Sequence, residues 1–376
     1  MVTPKDTFNK DHYQAIAAHF TQGGRVTELR PLGQGNINDT FLVETDHRQL
    51  KSFVLQRLNT QVFPAPRQVM QNISLVIEHS SQKLKSQKFS RPWQIPQLLF
   101  TTQGQAYWQS ESGDFWRALS FIEGTQSWEK LTTLEQAQEV GFALGTFHQL
   151  VSDLNPQGLL DTLVGFHITP QYLENYQQIL GQNPTILGQN LTPEIKFCLD
   201  FIAERGQWCH ILETAKAQGK LPLRLMHGDP KINNILIDCQ TQRAISIIDL
   251  DTVKPGLIHY DLGDCLRSGC NPWGEETSEW QKVVFEPELC RGILEGYLAV
   301  AKQFFVPSDY AYLYDAMRLL AFELGLRFFS DYLRGNTYFK VTYPEHNLNR
   351  ALVQFQLTAS IENQERILQM LIQELQ

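Results

Sequence analysis

The sequence has few cysteines, six in 376 residues, and no two of them form a CxxC pair. Free thiols in a reducing compartment are therefore the simplest expectation, with a Cys265–Cys270 disulfide as the minor alternative. No stretch approaches the roughly 18 consecutive apolar residues that a membrane-spanning helix needs. The first ten residues, MVTPKDTFNK, contain no apolar segment, so a secretory signal is not expected and the cytoplasm is the expected compartment. There is no basic tract, and the formal net charge is −8. That makes sequence-independent nucleic-acid binding, which runs on clustered Lys and Arg, a poor expectation. An anionic nucleotide is still compatible, because a phosphate site needs only local positive potential and backbone N–H groups. Internal repeats and low-complexity tracts are also missing.

What is present fits a globular chain: 42% apolar and 19% charged residues, long enough for two lobes with sizeable cores. Residues 11–22 read as a short helix. VTELRPLGQGNINDTFLVETD reads as strand, glycine-rich turn, strand, and SFVLQRLN as a further strand with Phe53, Leu55 and Arg57 on one side. Helical spacing runs from about 67 to 85, and three more strands follow by Gly124. After Gly124 the pattern turns helical: 132–151, 192–218, most of 282–334 and 350–375. A hairpin, NILID and AISIID, interrupts it. The expected class is α+β, with a sheet-rich N-terminal lobe over 1–123 and a mainly helical lobe over 124–376.

The segment MHGDPKINNILID (226–238) packs a histidine, an aspartate, a lysine and two asparagines directly before an apolar strand. Asn234 lies five residues after Asp229, and Asp249 twenty after it. A hairpin between Asn234 and Asp249 brings its ends together, so Asp229, Asn234 and Asp249 are expected to converge. Two oxygen ligands beside a separate carboxylate suit Mg²⁺, which takes few protein oxygens and keeps others from water or phosphate. Phosphoryl transfer needs that metal, and a carboxylate to orient and deprotonate the attacking hydroxyl. Lys231 is placed to put positive charge on the transferring group. An Asp/Asn-rich structural turn is the competing reading.

HGDPKINN followed by IIDLD resembles the motif of the aminoglycoside phosphotransferase family, small-molecule kinases with a protein-kinase-like bilobal fold. GQGNINDTFLV, FVLQRLNTQVF, ALSFIEG, LDTVKPGLIHYDLGD, ELGLRFFSDYLRGNTYFKV and EHNLNRALVQFQL are similar to bacterial N-acetylhexosamine 1-kinases. The resemblance implies Asp229 as catalytic base, Asn234 and Asp249 as Mg²⁺ ligands and Lys231 as a phosphate contact. It implies a loop-locking rather than proton-exchanging His227. Asp251 either holds a second metal or water or hydrogen-bonds within its turn. Asp261 and Asp264 read as helix caps or loop braces, capping being the blander reading.

GQGNINDT stands where a kinase-like lobe carries its phosphate-covering loop. Gly33 and Gly35 would let backbone approach phosphate, and Asn36, Asn38 and Asp39 would reach nucleotide or sugar. The third glycine of the protein-kinase pattern is replaced by Asn38. Arg57 stands in for the phosphate-gripping lysine, with a solvent-facing strand arginine as the alternative. Its acidic partner is expected from the next helix, where Glu78 is the only carboxylate. Ser120, Phe121, Ile122 and Glu123 form the expected hinge, offering backbone groups to adenine; Leu55 and Ile248 are adenine walls or plain core.

On the acceptor side, Arg327 and Asp331 are four apart on one helical face, and a surface ion pair competes with substrate contact. The resemblance favours Arg327, with Tyr338, on the sugar or phosphate. Trp273 either stacks on a sugar or packs, and His148 reads as a core residue. The expected function is an ATP- and Mg²⁺-dependent kinase of a sugar hydroxyl, the anomeric 1-OH of a hexose or N-acetylhexosamine. Choline, ethanolamine, homoserine or an aminoglycoside are alternative acceptors, and a silent kinase-fold binding module is the alternative of another class. Without Asp-Phe-Gly or Ala-Pro-Glu triplets the chain is not expected to be a protein kinase. No nucleic-acid or membrane partner is expected.

Overall fold

The computed structural model describes residues 10–33, 37–182 and 191–376. The chain divides into two compact units: residues up to Ser81 with Gln94–Glu123, and Gln82–Trp93 with Gly124–Gln376. The first unit is therefore not unbroken to residue 123. Residues 82–93 group with the second unit instead, where Lys83 ion-pairs with Asp153 at 2.6 Å and Arg91 with Glu139 at 2.6 Å.

The first unit is built on an antiparallel sheet of β1 (Val26–Pro31), β2 (Asp39–Thr45), β3 (Ser52–Leu58), β4 (Leu98–Leu99), β5 (Trp108–Gln109) and β6 (Phe115–Ser120). Its spatial order is β1-β2-β3-β6-β4, with β5 also on β6. Alternation along β2, β3 and β6 puts Phe41, Val43, Phe53, Leu55, Trp116 and Ala118 on one face. There they are buried with Tyr13 and Ile16 of the Lys10–Ala17 helix. Leu55 is fully buried in this cluster, so of its two readings it is plain core. Among the described residues none of the 21-residue helix Pro66–Ser86 belongs to this cluster.

The second unit is helical around short strand pairs. β7 (Thr125–Gln126) joins β9 (Ile235–Asp238), which pairs with β10 (Ala244–Ile247) as the expected hairpin. β8 (Arg224–Met226) pairs with β11 (Lys254–Gly256), a ladder not read in the sequence. Together these two pairings place the β8–β9 loop, 227–234, beside the β10–β11 loop, 248–253. The Leu134–Val151 helix lies very close to Pro287–Ala301. A Cβ on Gly141 would stand 1.8 Å from the Ile293 carbonyl oxygen, and one on Gly296 2.0 Å from that of Gln138. The helices Thr169–Gln182 and Ile258–Gly269 were also not assigned from sequence. Apolar cores collect around Leu313–Leu333 and His346–Asn363.

All six cysteines are free thiols, and Cys239 alone among them is exposed. No helix among the described residues is long and apolar enough to cross a membrane.

Candidate active site

The two adjacent loops are stitched by short hydrogen bonds. The Ile248 N–H donates to the Asn234 carbonyl at 2.8 Å, and Thr252 Oγ1 donates to the His227 carbonyl at 2.8 Å. His227 is fully buried between them. Its Nε2 lies 3.0 Å from the Ile248 carbonyl, which can only accept, so Nε2 carries the proton. Nδ1 then accepts from the Asp229 N–H at 3.3 Å. Burial holds the ring's pKa below its usual value, so His227 is a neutral staple. Gly228 turns at φ 86, and a Cβ there would meet Thr252 at 2.8 Å, so the HGD turn admits only glycine.

Asp261 in the Ile258–Gly269 helix is buried and accepts from the backbone N–H of His227 at 2.6 Å and of Gly228 at 2.7 Å. It braces the loop and caps nothing, so the blander expectation is corrected. His148 reaches the same carboxylate at 2.8 Å and the Tyr297 hydroxyl at 2.9 Å; it is core, but core that aims Asp261. Asp264 binds Arg267 at 2.8 Å rather than capping. Burial opposes its charge, but Arg267, His167 and Lys231 outweigh it and hold its carboxyl below the usual range.

The structure brings the predicted constellation together. Lys231 Nζ donates to Asp229 Oδ2 at 2.7 Å. Asn234 Nδ2 donates to the Asp229 carbonyl at 2.7 Å and to Oδ2 at 3.1 Å. Since a carbonyl only accepts, the amide nitrogen must face it, and Asn234 Oδ1 points away as a free oxygen donor. Asp249 follows Ile248 directly and sits at φ 69, ψ 60, an uncommon backbone state for a non-glycine residue. Lys231 feels both carboxylates. Burial opposes its charge, but Asp229 and then Asp249 outweigh it and raise its pKa. Among the described residues no cluster of three or more His, Cys, Asp or Glu side chains could hold a metal. The Asn234 amide oxygen and the Asp249 carboxylate would instead supply the few protein oxygens that Mg²⁺ takes alongside water and phosphate.

In the first unit, Arg57 differs from expectation. Asp39 stands opposite it in the β2–β3 register and binds its guanidinium at 2.6 Å; Asp114 lies 3.7 Å away. Its side chain leans over Trp116, on the face packed by the Lys10–Ala17 helix. The acidic partners are thus Asp39 of β2 and Asp114 just before β6, not Glu78, which is exposed on Pro66–Ser86. Directly opposed cross-strand side chains sit about 5 Å apart at Cβ, within reach of an ion pair. The adjacent position faces the other way: Gln56 Oε1 accepts from buried Arg117 at 2.7 Å, a pairing the sequence reading missed. Asn38 Oδ1 accepts from the Asn59 N–H at 3.0 Å. Gly33 turns at φ 70; Gly35 and Asn36 lie outside the described residues. Ser120 ends β6, its hydroxyl accepting from the Gln97 N–H at 2.9 Å, Phe121 and Ile122 follow, and Glu123 accepts from Ser52 at 3.1 Å. Ile248 is half-buried.

Arg327 is half-buried with its guanidinium 5.2–5.6 Å from the ring centres of Phe166, Tyr172 and Phe339, and it makes no ion pair among the described residues. The competing reading, a surface ion pair with Asp331, is not formed. Asp331 accepts instead from the N–H groups of Thr337, Tyr338 and Phe339 at 2.8–2.9 Å, pinning the loop that carries Tyr338. Tyr338 itself is 46% exposed. Trp273 is half-buried, with the Lys282 ammonium 5.5 Å from its ring centre. A further residue was missed. His167, at φ 62, puts Nε2 2.9 Å from the Gly228 carbonyl and Nδ1 2.8 Å from Glu323. A lone histidine in a loop gives no sequence signal when its partner is 156 positions away.

The profile of the Phosphotransferase enzyme family (APH) matches residues 28–298. Solved structures share the fold at low identity. A microcompartment-associated aminopropanol kinase is 17% identical, with TM-score 0.60, covering 96% of this chain and 99% of its own. A choline kinase from Cryptosporidium parvum Iowa II is 14% identical, with TM-score 0.58, covering 97% and 98%. The GDP complex of aminoglycoside 2'-phosphotransferase-IIIa is 16% identical, with TM-score 0.56, covering 87% and 92%.

Proposed function

Because the chain belongs to the phosphotransferase enzyme family, we propose that it transfers the γ-phosphoryl group of ATP to a sugar hydroxyl, the anomeric 1-OH of a hexose or N-acetylhexosamine. Asp229 is the base: its carboxylate, held by Lys231 and Asn234, takes the proton of the attacking hydroxyl. Lys231 supplies positive charge to the transferring group. Asn234 Oδ1 and Asp249 would hold Mg²⁺, which when bound neutralises the β- and γ-phosphate oxygens. Gly33 and the Ser120–Glu123 backbone are the nucleotide contacts we assign to the first unit. Arg57 receives none, being held by Asp39 and Asp114.

The choice of acceptor is carried by one observation: Arg327, a cation walled by aromatic rings with no carboxylate in ion-pair contact among the described residues. Such a site repels ammonium acceptors and donates to sugar oxygens, while aromatic faces suit a pyranose ring. Tyr338, on the loop pinned by Asp331, is the second acceptor contact we assign. The test is ADP release from MgATP with hexoses, N-acetylhexosamines, amino alcohols and aminoglycosides. Free sugars should turn over and their 1-O-methyl glycosides should not. Turnover of those glycosides refutes the anomeric assignment, and turnover of amino alcohols or aminoglycosides alone refutes the sugar.

A further inference from the structure

His167 lies in the 152–168 loop, outside every motif, yet it bonds to the carbonyl of the residue before the proposed base. Its Nε2 is 2.9 Å from the Gly228 oxygen, and its Nδ1 is 2.8 Å from Glu323 Oε1. A carbonyl and a carboxylate both accept, so both ring nitrogens donate and the ring is an imidazolium. Burial alone would lower its pKa, but the Glu323 charge outweighs that and raises it. Glu323 is itself buried, and its second oxygen accepts from Thr169 Oγ1 at 2.7 Å. The ring stacks on Tyr260, with centroids 5.5 Å apart. Further up the loop, Lys254 of β11 ties down Asp161 at 2.6 Å and the Leu163 carbonyl at 2.7 Å.

The same short segment reaches the proposed acceptor site. Phe166 and Tyr172, on either side of His167, wall Arg327. Glu323 and Arg327 are four residues apart on the Leu313–Leu333 helix, hence on one face. Resting on the kinase reading above, we infer that His167 is a positioning residue. With Glu323 it fixes the Gly228 carbonyl, and so fixes Asp229 relative to the helix that carries Arg327. Neither residue touches the acceptor; they set the distance between the group that takes the proton and the group that holds the alcohol.

The test uses His167→Gln and Glu323→Gln in the full chain, each in the native and the Asp229→Asn background, with MgATP and N-acetylglucosamine. Displacing a base by about 1 Å costs on the order of a hundredfold in rate. Each variant should therefore lower kcat by about tenfold to a hundredfold with the KM for MgATP unchanged. The double variant should be no slower than the slower single one, because the two act as a unit. In the Asp229→Asn background, adding His167→Gln should leave the residual rate unchanged. A kcat within twofold of wild type, or an equal loss in both backgrounds, overturns the positioning role. The wild-type protein gives a readout that needs no folded variant: nitrogen NMR should find both His167 ring nitrogens protonated at pH 7. A single protonated nitrogen overturns the inference. Wild type that turns over no acceptor in the panel rejects the kinase reading, and this inference with it.

Discussion

Asp229 sits between two side chains of opposite electrical habit. Lys231 holds its proton more tightly than an ordinary lysine, burial being outweighed by Asp229 and Asp249. His227 holds its proton less tightly, because burial disfavours the imidazolium. The sign for stability follows from that second shift. Below its ordinary value of 6.5, an unfolded His227 takes up a proton that the folded loop refuses, so folding weakens as pH falls through that window. His227→Gln keeps a donor and an acceptor but cannot titrate. The Tm gap between wild type and this variant should shrink as pH drops from about 7 to about 5; a gap that widens means the ring is charged in the folded state. Arg327→Met keeps the packing between Phe166 and Phe339 and removes the charge. Losing a charged hydrogen bond to a neutral acceptor costs about 1.5–3 kcal/mol. The sugar KM should therefore rise about tenfold or more, with the KM for MgATP unchanged. An unchanged sugar KM would take Arg327 out of the acceptor site. At this scale the sequence was readable where partners are near in number. Asp229, Lys231 and Asn234 span six positions, and their grouping follows from local turn chemistry. His148 and His167 take partners that only the tertiary fold brings close, and Arg57 was matched to a helix because its true partner lies across the strand ladder.

The hairpin β9–β10 was legible because its strands are consecutive and alternate cleanly. The ladder β8–β11 was not: each strand is three residues long, and their pairing spans the whole loop–hairpin–loop module. Yet that ladder closes the module and brings Thr252 onto the His227 carbonyl. The helix pair Leu134–Val151 and Pro287–Ala301 works at longer range. Its glycines let the backbones approach, and that approach sets His148 against Tyr297 and thereby aims Asp261 at the 227–234 loop. Gly141→Ala forces a methyl into the Ile293 carbonyl, and overpacking of this kind costs about 1–3 kcal/mol or more. It should lower the Tm and reduce kcat together. Gly181→Ala, whose Cβ would meet nothing within 4 Å, serves as the control and should be neutral or slightly stabilising. An unaffected Gly141→Ala would mean that these helices do not pack as described. The helices 169–182 and 258–269 escaped sequence reading for a related reason. In the second of these, His259, Asp261, Asp264 and Arg267 are buried, so polar residues occupy positions where periodicity looks for apolar ones.

Over the whole chain, the fold is shared with kinases whose names span aminopropanol, choline and aminoglycosides at 14–17% identity. A fold that hosts such different acceptors cannot choose among them, so the choice must lie in local side chains. The grouping of Asp229, Lys231 and Asn234 was legible because it is compact and made of residue types that metal and phosphate chemistry require. The surroundings of Arg327 were less so, because Phe166, Tyr172 and Phe339 come from separate segments and read singly as core. The claim on which the rest stands is that Asp229 accepts the proton of the attacking alcohol. Asp229→Asn is nearly isosteric and leaves Asn234 and Asp249 in place for the metal. Measured together, its ADP release with MgATP and sugar should fall by at least about a hundredfold, while its calorimetric affinity for MgATP stays within about twofold of wild type. A variant that keeps more than about a tenth of wild-type turnover contradicts the account.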